Sequence, residues 1–176
     1  MFRNLLASAL LVSFSLANVS SATESCYAKG NSLVNLGLGL VMEGPFGVVA
    51  SYEYGVHDLV SVGGEIGFSG WSNGYWSYSE IPFAVRGAFH PFNLPSLVDK
   101  IKVRDKFDVY GGLSMGYDIV TSSWSGPYAG TDATGSHVIA SLFIGGRYYM
   151  NPNFGFYAEE TGGSFGWLNG GVVFKF

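Results

Sequence analysis

From Asn31 to the end, the chain alternates apolar positions with small or polar ones in eight separate runs, the period-two pattern of β-strands. The first, NSLVNLGLGLV, sets Val34, Leu36, Leu38 and Leu40 against Asn35, Gly37 and Gly39. FGVVASYEY sets Val48, Ala50, Tyr52 and Tyr54 against Gly47, Ser51 and Glu53, and LVSVGGEIGFS sets Val60, Val62, Ile66 and Phe68 against Ser61, Gly63, Glu65 and Gly67. EIPFAVRGAFH, FDVYGGLSMGYDI, SHVIASLFIGGRYYM, FGFYAEE and WLNGGVVFKF continue the series. Turn-forming stretches separate them: MEGP, GVHD, GWSNGYWSYS, TSSWSGPYAGTDATG, NPN and GGSFG. One connection differs. In PFNLPSLVDKIKVRDK, Leu94, Leu97, Val98 and Ile101 recur at helical spacing and predict a short amphipathic helix, with Lys100, Lys102, Arg104 and Lys106 either on anionic lipid headgroups or on a solvated periplasmic face.

Eight consecutive strands with hairpin connections predict an all-β, up-and-down antiparallel sheet, and eight strands can close into a barrel. Alternation alone does not say which face is inside. Composition does: charged residues are only 12%, while the chain has 26 Gly, 14 Phe, 11 Tyr and 4 Trp. If the Gly/Ser face met water it should be rich in charge; instead it carries few, mixed charges, which suits a cramped interior and turns the apolar face toward lipid. Phe89, Tyr148, Phe154, Phe156, Phe174 and Phe176 fall toward one rim, and the four Trp, at 71, 76, 124 and 167, toward the other, as two interfacial girdles would. The expectation is an eight-stranded transmembrane β-barrel over 31–176.

The first 22 residues read as a secretory signal peptide: Arg3, an apolar run from Leu5 to Ala17, then small residues ending at Ala22. Residues 23–30 form a leader, expected to be flexible, in which Cys26 is incidental; as the sole cysteine it makes no internal disulfide. No later stretch approaches the apolar length of a membrane helix. The net charge of -4 and the absence of a long basic run give no reason to expect nucleic acid.

The ending is the most specific motif. NGGVVFKF places polar Asn169, Gly171, Phe174 and terminal Phe176 in the order polar-x-Gly-x-x-aromatic-x-aromatic. In this, and in the architecture from about Asn31 onward, the chain resembles the small eight-stranded bacterial outer-membrane β-barrels of the OmpX/OmpA type. The resemblance implies an outer-membrane location among its lipids, periplasmic chaperones and the barrel-assembly machinery as partners in biogenesis, and a terminal strand that serves as the assembly signal. The even strand count then puts both termini in the periplasm and turns 42–45, 69–79, 121–136 and 161–167 outward. Three departures stand out: MEGP is very short, the fourth-to-fifth connection is long for the periplasmic side, and Glu160 falls on the lipid-facing phase.

An eight-stranded barrel is just wide enough to be filled by its own side chains. The inward-phase charges, Glu53, Glu65, Glu80, Arg86, Asp108, Asp118, Arg147, Glu159 and Lys175, are therefore expected to pair within the lumen, Glu65 with Arg86 and Arg147 near Glu159. Trp71, Trp76 and Trp124 could contact an unidentified extracellular ligand, against the alternative that they complete the outer girdle. His137 near Ser136 and Asp132 invites a lipid-modifying enzyme, but no longer motif supports catalysis, and no spacing suggests a metal or other cofactor. A structural or adhesion-like barrel is the expected role, a narrow pore or a lipid-modifying enzyme the alternatives.

Overall fold

The computed structural model describes residues 25–40, 47–128, 130–162 and 165–176. The signal segment, the first two leader residues, the MEGP turn with its flanks, and positions 129, 163 and 164 lie outside the described residues.

Eight strands follow in order: β1 (Ser32–Leu40), β2 (Gly47–His57), β3 (Val60–Asn73), β4 (Trp76–Phe89), β5 (Phe107–Trp124), β6 (Ala133–Asn151), β7 (Phe154–Thr161) and β8 (Leu168–Lys175). Each pairs antiparallel with the next, and β8 pairs with β1 from Leu33–Lys175 to Leu40–Leu168, closing the ring. The seam is tight at paired Gly37 and Gly171: a Cβ on Gly171 would collide with the Leu36 carbonyl oxygen and with Gly37 Cα.

The alternation resolves as the composition requires. Leu38, Val85, Leu142 and Ile144 stand on the outside, 59–77% exposed, while Arg147, Glu53, Asn35 and Asp118 are buried inside. An apolar exterior around a polar interior is an inside-out arrangement that hydrocarbon, rather than water, satisfies. Phe89, Tyr148, Phe156 and Phe176 ring the end that carries both termini, the near end, on the outward face. Among the described residues no helix is long and apolar enough to cross a membrane; the apolar outer face belongs to the strands. The molecule is an eight-stranded antiparallel transmembrane β-barrel.

Three expectations are corrected. The segment 91–106 is not an amphipathic helix. After a single 3-10 turn at Pro91–Asn93 it forms isolated turns, with Val98 N–H bonded to Leu94 and Ile101 N–H to Leu97. The carbonyls of Arg104 and Lys106 are taken by the Cys26 and Tyr149 N–H groups, so no helical ladder propagates there, and a short helix cannot otherwise repay its nucleation. Second, GWSNGYWSYS is mostly strand. β3 and β4 continue to Asn73 and Trp76 and join through Gly74 and Tyr75, with Gly74 at φ +63°, the left-handed value a two-residue hairpin demands. Likewise β5 and β6 absorb much of 121–136, pairing as far as Ser122–Ala133. Third, the leader residues from Ser25 to Gly30 are tied into the near end, with Cys26 and Tyr27 4% and 1% exposed.

Strands β3 to β6 contain 14, 14, 18 and 19 residues, whereas a tilted membrane strand needs about 9–11. Their surplus forms a wall that rises past the ends of β7 and β8 at the end away from the termini, the far end.

Candidate functional site

Two arginines organise the lumen. Arg147, on β6 opposite Asp108 of β5, is completely buried. Its Nη2 donates to Glu53 Oε1, its Nη1 to Asp108 Oδ2 at 3.2 Å and its Nε to Asn35 Oδ1 at 3.2 Å. The guanidinium plane lies 3.8 Å from the centroid of Tyr110, a cation–π contact that covers its remaining face. Arg86, on β4, repeats the design one layer toward the far end. It donates to Glu65 Oε2 at 2.8 Å and to Glu159 Oε2 at 2.6 Å, approaches Glu53 at 3.5 Å and sits 3.9 Å over the Phe143 ring. Each charge is thus paired and hydrogen-bonded, as burial demands.

The expected Glu65–Arg86 pair is present, but Arg147 does not choose Glu159. In the β6–β7 register Glu159 faces Gly145, one inward row beyond Arg147, and the barrel's stagger brings that row level with Arg86. Lys175 also departs from the network expected for it: its Nζ donates to the Cys26 carbonyl at 3.0 Å and lies 5.2 Å from the Tyr149 ring, so it fastens the leader. Glu80 accepts from Ser69 at 3.3 Å.

Toward the near end, His90 Nδ1 is 2.9 Å from Asp108 Oδ1 and its Nε2 is 3.1 Å from Ser61 Oγ. Hydroxyl, imidazole and carboxylate stand in the order of a hydrolase triad. Ser61, however, gives its proton to Glu53 Oε2 at 2.7 Å, and Tyr27 lies flat on the imidazole, ring centroids 3.5 Å apart at 6°. All three groups are buried, so the arrangement links the arginine layers to the leader and leaves no face for a substrate carbonyl. Tyr27 also donates its hydroxyl to the His57 carbonyl, and Asn93 holds the Tyr27 carbonyl at 2.9 Å. Burial pushes the Cys26 thiol up to about 12, so it stays protonated and unreactive.

At the far end Phe165, 3% exposed, drops into the ring against Ala84 and Ile139, with Val49 beside them. Below it Thr161 donates to Glu159 at 3.1 Å. The lumen is therefore stoppered by an aromatic ring at each end and filled by ion pairs between.

The remaining expected residues fall as follows. Asn169 is buried inside, its amide 3.5 Å from Thr161 Oγ1, and Gly171 occupies the tight seam. Phe174 packs on Phe154, centroids 5.4 Å apart, while Phe176 exchanges backbone hydrogen bonds with Ser32. His137 faces Asp118 at 3.9 Å, and Asp132 instead accepts from the Trp124 N–H, so the grouping of His137, Ser136 and Asp132 is not assembled. Among the described residues no cluster of His, Cys, Asp and Glu could hold a metal. Glu160 lies on the outward face, opposite Leu168 near the far end of β7.

Three of the four tryptophans depart from the girdle expectation, Trp167 being the exception at 50% exposed. Counting from buried Ser69, Ala84 and Asp118, the inward phase continues up the wall to Trp71, to Tyr78 and Trp76, and to Trp124. The register confirms the row, pairing Trp71 with Tyr78 and Trp76 with Trp124. These rings share the concave face of the wall and do not face lipid.

Sequence reasoning passes over Tyr27, His90, Asn35 and Ser61. The last three share the inward phase with the charges and were open to discovery there; nothing in the leader signals that Tyr27 enters the barrel.

No family model matches the sequence, and no curated protein matches it. Solved structures do. The outer membrane protein OprG from Pseudomonas aeruginosa superposes with a TM-score of 0.53 at 11% identity, covering 87% of this chain and 99% of that one. The N-terminal β-barrel domain of Pseudomonas aeruginosa OprF gives 0.51 at 17%, covering 85% and 98%. Ail, the attachment invasion locus protein of Yersinia pestis, gives 0.51 at 15%, covering 84% and 99%, and has also been solved with the heparin analogue sucrose octasulfate. Closed strand order, apolar exterior and these superpositions together give the chain the fold of the small eight-stranded outer-membrane β-barrels, the OmpX/OmpA type that its last strand resembles.

Proposed function

We propose that the protein is a non-conducting barrel of the bacterial outer membrane that works through its outward wall, in a structural or adhesion-like role and not as an enzyme. The near end, with both termini, faces the periplasm, and the wall of β3 to β6 faces the medium. The observation that carries this reading is the sealed lumen: two arginines, each among carboxylates, between the stoppers Tyr27 and Phe165. Paired charges with aromatic rings packed over both guanidinium groups support a filled core and not an open pore. Ail, a barrel of similar fold that is named for attachment and invasion, supports the reading without assigning a ligand.

In biogenesis, Asn169, Gly171, Phe174 and Phe176 serve the barrel-assembly machinery as its signal after chaperoned passage of the periplasm. The finished fold gives the same residues the closing seam, which is why one strand can be both address and latch.

Planar-bilayer recording of the purified protein tests the closed lumen: a quiet trace is expected, and a steady large conductance refutes it. Biotinylation of a cysteine placed at exposed Gly135 on β6, where a Cβ meets nothing within 4 Å, tests the orientation on intact cells in a Cys26→Ser background; failure of that site to label refutes it.

A further inference from the structure

We propose that the concave face of the wall is a binding site for a neutral saccharide chain. This rests on the surface reading above, since the wall must face the medium to meet one.

Five rings form a continuous strip. Trp71 stacks on Tyr78 at 5.3 Å and 16°, Tyr78 follows Trp76 at 6.3 Å and 26°, Trp76 meets Trp124 at 5.0 Å, and Trp124 meets Tyr75 at 5.5 Å. Trp71, Trp76, Tyr78 and Trp124 are only partly covered, and Tyr75 is 55% exposed. A hydrophobic patch of this kind, rimmed by polar groups, marks an interaction site. The strip is held in place by these ring-to-ring contacts, by Gly126 and Gly130 packed against the Trp124 indole, and by hydrogen bonds: the Trp124 indole N–H donates to the Tyr128 carbonyl at 2.6 Å, and the Ser125 hydroxyl and N–H both donate to the Tyr75 carbonyl. Rigid aromatic anchors lose little side-chain entropy on binding.

Charge and chemistry select the occupant. Segments 69–79 and 121–136 contain no Lys or Arg, and their one acidic residue is Asp132. A sulfated or phosphorylated chain would find no Lys or Arg in these segments. A pyranose offers flat C–H faces of slight positive character, which complement the negative faces of the indole and phenol rings. Its equatorial hydroxyls, pointing sideways, would meet Asn73 and Ser122 on the same phase of the wall, with the Glu80 carboxylate at the base of the strip. A protein partner would find few charged groups for orientation.

The test uses the mature protein in lipid nanodiscs on a printed glycan array, followed by Trp-fluorescence titration with the best neutral oligosaccharide and with a heparin oligosaccharide. Neutral chains are expected to bind, heparin not. Trp71→Ala and Tyr78→Ala should each weaken binding at least tenfold, while Trp167→Phe, off the strip, leaves it unchanged; cold and heated gel migration confirms that each variant is folded. Binding by none of the neutral glycans, binding confined to heparin, or equal binding by the Ala variants each overturns the proposal. Labelling at Gly135 on cells separates the two readings. If the site labels and no glycan binds, this inference fails alone; if it does not label, the surface orientation fails with it.

Discussion

Replacing Arg147 with methionine isolates what the buried network contributes. The side chain is of similar length and keeps packing against Tyr110, but it deletes three donated hydrogen bonds and one positive charge. Glu53 retains Ser61 and the more distant Arg86, and Asp108 retains His90, so neither is stripped bare; Asn35 Oδ1 loses its donor inside a buried site. Removing one partner of a buried pair typically costs about 3–5 kcal/mol, and an orphaned buried acceptor about 1–3 kcal/mol more. Because some compensation survives, the expected loss is about 3–5 kcal/mol in all. With a urea slope of about 1–3 kcal/mol per molar, the unfolding midpoint in lipid vesicles should fall by more than about 1 M. Tryptophan emission and heat-modified gel migration report the transition. The decisive companion is R147M combined with E53Q and D108N, which removes the uncompensated charges and should recover about half of the loss or more. A loss below about 1 kcal/mol for R147M alone, or no recovery in the triple variant, refutes the account in which paired charge holds the lumen.

The leader and the seam yield further expectations. With its thiol held near 12 by burial, Cys26 should resist maleimide at pH 8 in the folded protein and react at once in urea; fast labelling of the folded form would show that the leader is not docked. Since its ionisation is shifted upward by folding, docking of the leader is at full strength below the ordinary thiol value of about 8.5 and weakens as pH climbs from there toward 12. Gly171→Val should cost about 3 kcal/mol or prevent closure, because its branched Cβ meets backbone and not a movable side chain; normal refolding yield would contradict that. Deleting Phe176 removes two backbone hydrogen bonds with Ser32, about 2 kcal/mol, yet should slow insertion in cells far more than it lowers the unfolding midpoint. Pulse-chase protease protection measures the first and urea titration the second, and normal insertion would sink the signal role.

How far the sequence reaches can be judged residue by residue. The eight strands, their phases and the inside-out composition follow from period-two alternation, since a strand has only two faces and one solvent decides between them. That much carries Glu53, Glu65, Arg86, Asp108, Arg147 and Glu159 into the lumen before any coordinate is known. The tryptophans were equally open to it: Trp71 is two residues past Ser69, and only the assumption that a Gly- and Ser-rich stretch must be loop hid the continuing strand. Alternation sets direction but not height. Which carboxylate meets which guanidinium depends on the stagger of the closed ring, and that stagger joins Arg147 to Glu53 across 94 residues of chain while sending Glu159 to Arg86. Nor could any local pattern announce that Tyr27, in an aperiodic leader, stacks on His90. That contact exists because closure creates a polar mouth of fitting width, a property of the assembled ring and of no single strand. By itself, then, the sequence determined the architecture, the solvent on each face and the closing strand; the pairing inside the lumen, the stoppers at its ends and the aromatic face of the wall were decided only when eight strands closed at one particular stagger.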